Sequence, residues 1–291
     1  MPDIAYIGLG AMGRPMAANL ALRFPTTVWN RTAAVADAHA EQHGSTVAHD
    51  LAALAAADVV CTCLPTDAEV ADVAARLGPS LRPGTVWLDH TSGDPDGSRR
   101  IAQMLADHGV GYLDAPVSGG TDGAEAGTLT VMVGGDVADL EVISPVLDAV
   151  ASTVVHVGPV GSGMAVKAVN NAVMAAALWA TAEGLVALRA QGVHPTAALE
   201  VINGSSGRSF ASEKLVPEHA VTRAFPHTFA LSLLAKDVGL ALGVLEGADV
   251  DGPLLHLVGN LTSAASQELG SGAGHVELVR VVERAAGVEL A

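Results

Sequence analysis

With 291 residues, half of them apolar and 3% aromatic, the chain is long enough for two ordinary domains with cores built largely of Ala, Val and Leu. A formal net charge of −16 repels phosphate backbones and excludes nucleic acid as a partner. No apolar stretch reads as a membrane span and the first residues lack a signal-peptide pattern, so a cytoplasmic protein with no membrane partner is expected. Cys61 and Cys63, two apart in one apolar run, read as buried, reduced thiols.

In chain order, short β-type runs alternate with amphipathic helical stretches. Strands are predicted at Ile4–Ile7, Thr27–Trp29, Val59–Leu64, Val86–Leu88, Tyr112–Leu113 and Leu129–Val133. Helical periodicity is predicted at Met12–Arg23, Ala33–His43, Ala68–Leu77 and Ser98–His108, and the apolar run Val154–Val157 closes this half. Such repetition predicts a doubly wound parallel sheet with helices on both faces. After Gly158 the pattern changes. One helical segment is predicted from about Ser162 to Gln191, stopped by Gly192, and the rest reads as helices broken at Gly204–Gly207, Pro217, Pro226, Gly252–Pro253 and Gly270–Gly274. The expected fold is an α/β Rossmann-type domain over residues 1–161, followed by an all-helical domain over residues 162–291 joined through a long bridging helix. The helical half is expected to serve substrate binding and oligomerisation, because its Ala-rich, apolar helices suit packing between subunits; a homo-oligomer, dimer or tetramer, is expected.

The first strand runs into Gly8-Leu9-Gly10-Ala11-Met12-Gly13 and then a helix. In a G-x-G-x-x-G turn the first glycine permits the tight turn, the second lets the backbone approach a pyrophosphate, and the third lets helix pack on strand. The amides at the helix N-terminus then hold the phosphates. The six residues Gly8, Leu9, Gly10, Ala11, Met12 and Gly13 are therefore expected to bind a dinucleotide. The second strand ends in Asn30-Arg31-Thr32, where an NAD-selective site keeps an acid for the ribose hydroxyls. Arg31 offers a guanidinium fork and Thr32 a hydroxyl, partners for a 2′-phosphate. NADP is the expected cofactor and NAD the alternative; a surface arginine beside a Thr32 helix cap is the plain reading of the same residues.

The chain holds only three lysines, Lys167, Lys214 and Lys236, against twelve arginines. Lys167 lies about one turn inside the bridging helix with Asn171 four residues on, which puts both on one face. A lysine so placed can act as general acid–base in an alcohol–carbonyl interconversion. A lysine snorkelling at a domain edge would serve the helix equally well. Asp114-Ala115-Pro116-Val117-Ser118-Gly119-Gly120 follows a strand, and the amides of Ser118, Gly119 and Gly120 with the Ser118 hydroxyl can form an anion nest for a carboxylate. A plain loop competes with that reading. His39 and His43 have metal-ligand spacing without a third ligand nearby in sequence, so no metal is expected. Arg208, in Ser205–Ser209, is read first as part of a loop, and Trp179 as core.

Together these stretches resemble the β-hydroxyacid dehydrogenase family, most closely its 3-hydroxyisobutyrate dehydrogenase branch, over nearly the whole chain. Gly8–Gly13 is similar to the family's cofactor signature. Asp114–Gly120 with Gly127–Gly135 is similar to its substrate signature, and Gly161–Asn171 to its catalytic helix. The resemblance implies that Lys167 is the catalytic lysine and that Asn171 binds substrate with Ser118, Gly119 and Gly120. It implies that Lys236, in Ala235–Leu242, closes over cofactor and substrate. It also implies cofactor contacts from Leu64, Pro65, Glu69, Thr91 and Ser92. The activity implied is interconversion of a small β-hydroxy carboxylate and its semialdehyde. Reduction of glyoxylate, tartronate semialdehyde or succinic semialdehyde is the alternative; imine reduction and non-catalytic NADP binding stand further back. The family often carries D-x-S-T where this chain has Asp89-His90-Thr91-Ser92, and an Asp where it has His275-Val276-Glu277.

Overall fold

The computed structural model describes residues Met1–Ala291. The chain divides into two compact units, Met1–Lys167 and Ala168–Ala291. The sequence-based division after residue 161 falls six residues earlier.

The first unit is built on one sheet. β1 (Ile4–Ile7), β2 (Thr26–Trp29), β3 (Thr46–Val47), β4 (Val59–Thr62), β5 (Val86–Asp89) and β6 (Gly111–Asp114) are parallel, in the order β3-β2-β1-β4-β5-β6. The order reverses direction at β1, so a crevice opens between the carboxyl ends of β1 and β4, where doubly wound sheets bind ligands. β7 (Val117–Ser118), β8 (Leu129–Gly134) and β9 (Ala151–Gly158) extend the sheet, with β8 antiparallel to β6 and β7 and parallel to β9. The antiparallel turn follows from chain length, since the stretch between Ser118 and Leu129 is too short for a parallel crossover.

Helices α1 (Gly13–Ala21), α2 (Ala33–His43), α3 (Asp67–Leu77), α4 (Pro95–Ala106), α5 (Gly120–Ala126) and α6 (Val137–Leu147) complete the unit. Alternation along the strands supplies two cores, one per face. Ile4, Tyr6, Cys61, Val86 and Leu88 join one, while Ala5, Ile7, Val60 and Trp87 join the other. Cys61 is buried and both thiols are free; burial pushes them up, Cys61 beyond the usual thiol range and Cys63 to about 12, which leaves them as protonated, inert side chains.

The second unit is helical. α7 (Ser162–Ala190) contributes its first turn to the sheet unit and the remainder here, followed by α8 (Pro195–Asn203), α9 (Leu231–Gly247), α10 (Pro253–Leu269) and α11 (Val279–Ala286). Pro217, expected to break a helix, instead lies inside a π-helical segment, Ala211–Val221. A proline removes one backbone donor, and here the burial of Leu215, Val216 and Ala220 holds the turn regardless.

The sequence reading of membrane-spanning potential needs correction at α7, whose 29 residues are long and apolar enough to cross a membrane by length and composition. Its Ala168, Ala172, Ala175, Leu178, Trp179, Ala182, Leu185 and Val186 instead sit in the core of the helical unit. The Trp179 indole donates to Thr262 Oγ1 at 3.0 Å, a polar bond a core helix makes against its neighbour. The small residues let α9 and α10 approach closely enough to bury Leu234, Val238, Val258 and Ala265 in the same core.

Candidate active site

The glycine turn after β1 divides its labour among three positions. Gly8 has φ +99°, and a Cβ there would lie 2.3 Å from the Cys63 carbonyl oxygen. A Cβ on Gly13 would lie 2.0 Å from the Gly8 oxygen. At Gly10, which is exposed, an added Cβ meets nothing within 4 Å. Gly8 and Gly13 therefore make the turn, and Gly10 borders open space. α1 begins without a side-chain cap and without an acid in its first turn; Arg14 N and Met16 N are spent on the Gly10 and Met12 carbonyls and Pro15 has no N–H, so the amides left to an anion are those of Gly10, Ala11, Met12 and Gly13 in the turn itself. These residues fit the phosphates of a dinucleotide.

The end of β2 is tied to this turn. Leu9 N donates to Asn30 Oδ1 at 3.0 Å, and Asn30 Nδ2 donates to the Thr32 carbonyl at 3.1 Å. The Asn30 side chain thus shapes the turn. Thr32 caps α2 by position, yet its hydroxyl makes no capping bond. Arg31 is exposed and makes no hydrogen bond or ion pair, whereas the other arginines each bond to a protein group.

Beyond β4, Leu64 N donates to Thr91 Oγ1 at 3.1 Å, and Leu64 Cδ2 abuts Gly8. Pro65 is exposed, and Glu69, in the first turn of α3, accepts from the Thr66 hydroxyl. Thr91 is buried and Ser92 half-buried. Between them and β5, His90 is 3% exposed and its Nδ1 bonds the Ala115 oxygen at 2.7 Å. Burial pushes His90 down to about 4, so the ring is neutral and its Nε2 is a buried acceptor without a partner.

The motif after β6 proves to have two parts. Ser118 ends β7, and Gly119 (φ +138°) and Gly120 (φ +65°) turn the chain into α5. Asp114, which the sequence reading did not single out, is fully buried and accepts from Gly161 N at 2.7 Å and Met164 N at 2.9 Å. It caps the start of α7 from another element. Burial pushes its carboxyl up to about 7, against the two amide bonds that pull it down.

On α7, Lys167 is half-buried and Asn171 is 5% exposed, one turn apart on the same face. Asn171 Nδ2 donates to Asp237 Oδ2 of α9 at 2.7 Å. Lys236 Nζ lies 3.2 Å from Asp237 Oδ1, within ion-pair range though not aligned as a hydrogen bond. Asp237 also escaped the sequence reading; its position beside Lys236 was the only signal. His39 is committed to structure, with Nδ1 bonded to Ser45 Oγ and Nε2 to the Arg14 oxygen. Arg208 is exposed and faces Glu213 at 3.7 Å. A hollow of about 600 Å³ lined by Asp3, Arg23, Phe24 and Thr46 lies at the amino ends of the strands, and none of the sequence-predicted site residues lines it.

Residues 3–158 match the family described as the NAD binding domain of 6-phosphogluconate dehydrogenase. Residues 161–282 match the family described as NAD-binding of NADP-dependent 3-hydroxyisobutyrate dehydrogenase. The chain is 41% identical over 262 residues to 2-(hydroxymethyl)glutarate dehydrogenase of Eubacterium barkeri, covering 86% of this chain and 85% of that one. It is 35% identical over 261 residues to a probable 3-hydroxyisobutyrate dehydrogenase of Mycobacterium tuberculosis, covering 87% and 89%. The solved structure of Mycobacterium tuberculosis 3-hydroxyisobutyrate dehydrogenase with L-serine superposes with a TM-score of 0.90 at 31% identity, over 97% of this chain and 99% of that one. The chain belongs to the β-hydroxyacid dehydrogenase family. Within it, the protein is an NAD(P)-dependent oxidoreductase.

Proposed function

We propose that the enzyme interconverts a 2-substituted 3-hydroxypropanoate and its semialdehyde, with NADP preferred over NAD and 3-hydroxyisobutyrate as the first candidate substrate. The observation that carries this is Lys167 and Asn171 on one face of α7, with Asn171 held by the buried Asp237. The names of the relatives support the substrate class. 2-(Hydroxymethyl)glutarate, 3-hydroxyisobutyrate and L-serine share one skeleton, a hydroxymethyl group on the carbon that bears the carboxylate, and differ only in the third substituent.

When bound, the nicotinamide takes up or returns the hydride. The chain's own residues do the rest. Ser118 and the amides of Gly119 and Gly120 hold the carboxylate without a fixed cation. Lys167 Nζ accepts the hydroxyl proton in oxidation and returns it in reduction. Asn171 orients the substrate oxygen; its own orientation is set because one of its two amide hydrogens goes to Asp237 Oδ2, which leaves the other for that oxygen. Lys236 supplies positive charge beside that pair. Leu64, Pro65, Glu69, Thr91 and Ser92 contact the cofactor beyond the glycine turn. Arg31 and Thr32 receive the 2′-phosphate, a role supported by a guanidinium that no protein acid occupies.

The chain also assembles as a homo-oligomer in this reading, supported by apolar side chains left in solvent on its long helices, Val173 at 58%, Leu254 at 63% and Leu257 at 55%. A monomeric mass at micromolar concentration contradicts it.

Two kinetic experiments test the site. Arg31→Ala should weaken NADP about tenfold to a hundredfold and leave NAD nearly unchanged, since only NADP offers a charge-assisted bond of about 1.5–3 kcal/mol. Equal losses would make Arg31 structural. Lys167→Ala should lower kcat about 10²–10⁴-fold with a 3-hydroxy acid panel while NADP binding persists, and Lys167→Arg should not restore it, because a guanidinium does not give up a proton near neutrality. Turnover near the wild-type rate would remove α7 as the catalytic element.

A further inference from the structure

We infer that Asp89 is the positioning residue of the cofactor-binding rim, holding Thr91 directly and, through Thr91, the Leu64 turn that abuts the glycine loop. The inference rests on the reading above that the glycine turn, Leu64 and Thr91 contact NADP.

Asp89 ends β5 and is 1% exposed. Its Oδ1 accepts from the Thr62 hydroxyl at 2.8 Å and from Thr91 N at 3.0 Å, and its Oδ2 accepts from the Tyr112 hydroxyl at 2.9 Å. Trp87 Nε1 donates to Thr62 Oγ1 at 3.0 Å, which leaves the Thr62 proton for Asp89. Burial pushes the Asp89 carboxyl up, and the bonds from Thr91, Thr62 and Tyr112 pull it back. A hydrocarbon of similar volume would fill the same space without that desolvation cost. What the carboxylate supplies is direction.

The direction leads to the ligand side. Thr91, itself 1% exposed, uses its Oγ1 to accept Leu64 N at 3.1 Å. A Cβ placed on Gly8 would lie 2.7 Å from Leu64 Cδ2 and 2.3 Å from the Cys63 oxygen, so this segment forms the wall against which the glycine turn is folded. One carboxylate thus fixes the exits of β4 and β5 together, beside the crevice opened by the reversal of strand order at β1. Without it, Thr91 N and the Thr62 hydroxyl lose their shared acceptor, and the Leu64 segment loses its anchor.

The test is the dissociation constant of NADPH, measured by fluorescence titration on the full-length enzyme, with folding checked by thermal melting. Asp89→Ala should weaken NADPH about tenfold or more. Asp89→Asn should recover most of the loss, because its Oδ1 still accepts from Thr62 and Thr91 and the Tyr112 hydroxyl can accept from Nδ2. Thr91→Val should weaken NADPH to a similar extent and Thr91→Ser should not, and the Asp89→Ala, Thr91→Val pair should be no worse than either alone, as expected for one path. Unchanged NADPH affinity in folded Asp89→Ala, an Asp89→Asn as weak as Asp89→Ala, or additive losses would overturn the assignment. If Asp89→Ala does not fold, Thr91→Val decides: wild-type affinity there overturns it. Gly10→Ala separates the two levels, since that position has room for a Cβ and should lose NADPH without loss of stability. Wild-type affinity in Gly10→Ala would remove the glycine turn as the place where NADPH binds, and this inference with it.

Discussion

Two backbone N–H groups at the start of a 29-residue helix converge on one buried carboxylate, Asp114. The first amides of a helix carry its positive end and lack partners within it. A buried acid is correspondingly costly unless donors meet it. Each solves the problem of the other, and the solution fixes α7 to the carboxyl end of β6. There is no room to relax: a Cβ on Gly163 would lie 2.4 Å from the Met132 oxygen, and one on Gly134 would lie 2.5 Å from Asp114 Oδ1. Lys167 stands one turn beyond this anchor, so its position along the helix is set by the same contact.

Asp114 is the last of a row. Thr62, Asp89 and Asp114 occupy one register line across β4, β5 and β6, all buried. Thr62 and Asp89 face the exits that lead to Leu64 and Thr91, while Asp114 faces the helix that carries Lys167 and Asn171. The two carboxylates also feel each other, since the charge on Asp89 adds to the burial that raises Asp114. On the function proposed above, the polar rim of the sheet organises the cofactor side through one acid and the chemistry side through the other. In the helical unit Asp237 repeats the device, a buried acid spent on orienting Asn171.

Most of this architecture is legible in the residues. Ala33–His43 and Ile4–Ile7 have the bounds their periodicity predicts, and α7 starts at Ser162 as expected. The Lys167–Asn171 spacing reads directly as one helix face. Other elements leave little trace. β3 and β7 have two residues each and exist through pairing, α5 has seven residues between glycines, and Pro145 interrupts the pattern of α6. Pro217 misleads because burial, not local propensity, decides that segment. The three organising acids are harder still. Asp114 and Asp237 are ordinary residues by local pattern, and their partners lie 47 to 66 residues away along the chain. Asp89 draws on residues of the two neighbouring strands and of the loop that follows its own.

The claim that Asp114 sets the catalytic helix is tested most directly by comparing single-turnover hydride transfer with NADPH affinity in Asp114→Asn. An amide at this position can accept only one of the two N–H groups and turns a donor toward the other, a loss of about 1–3 kcal/mol at the helix start. The account predicts a folded enzyme, less stable than wild type, that binds NADPH normally and transfers hydride at least about tenfold more slowly. Hydride transfer at the wild-type rate in that variant would contradict it.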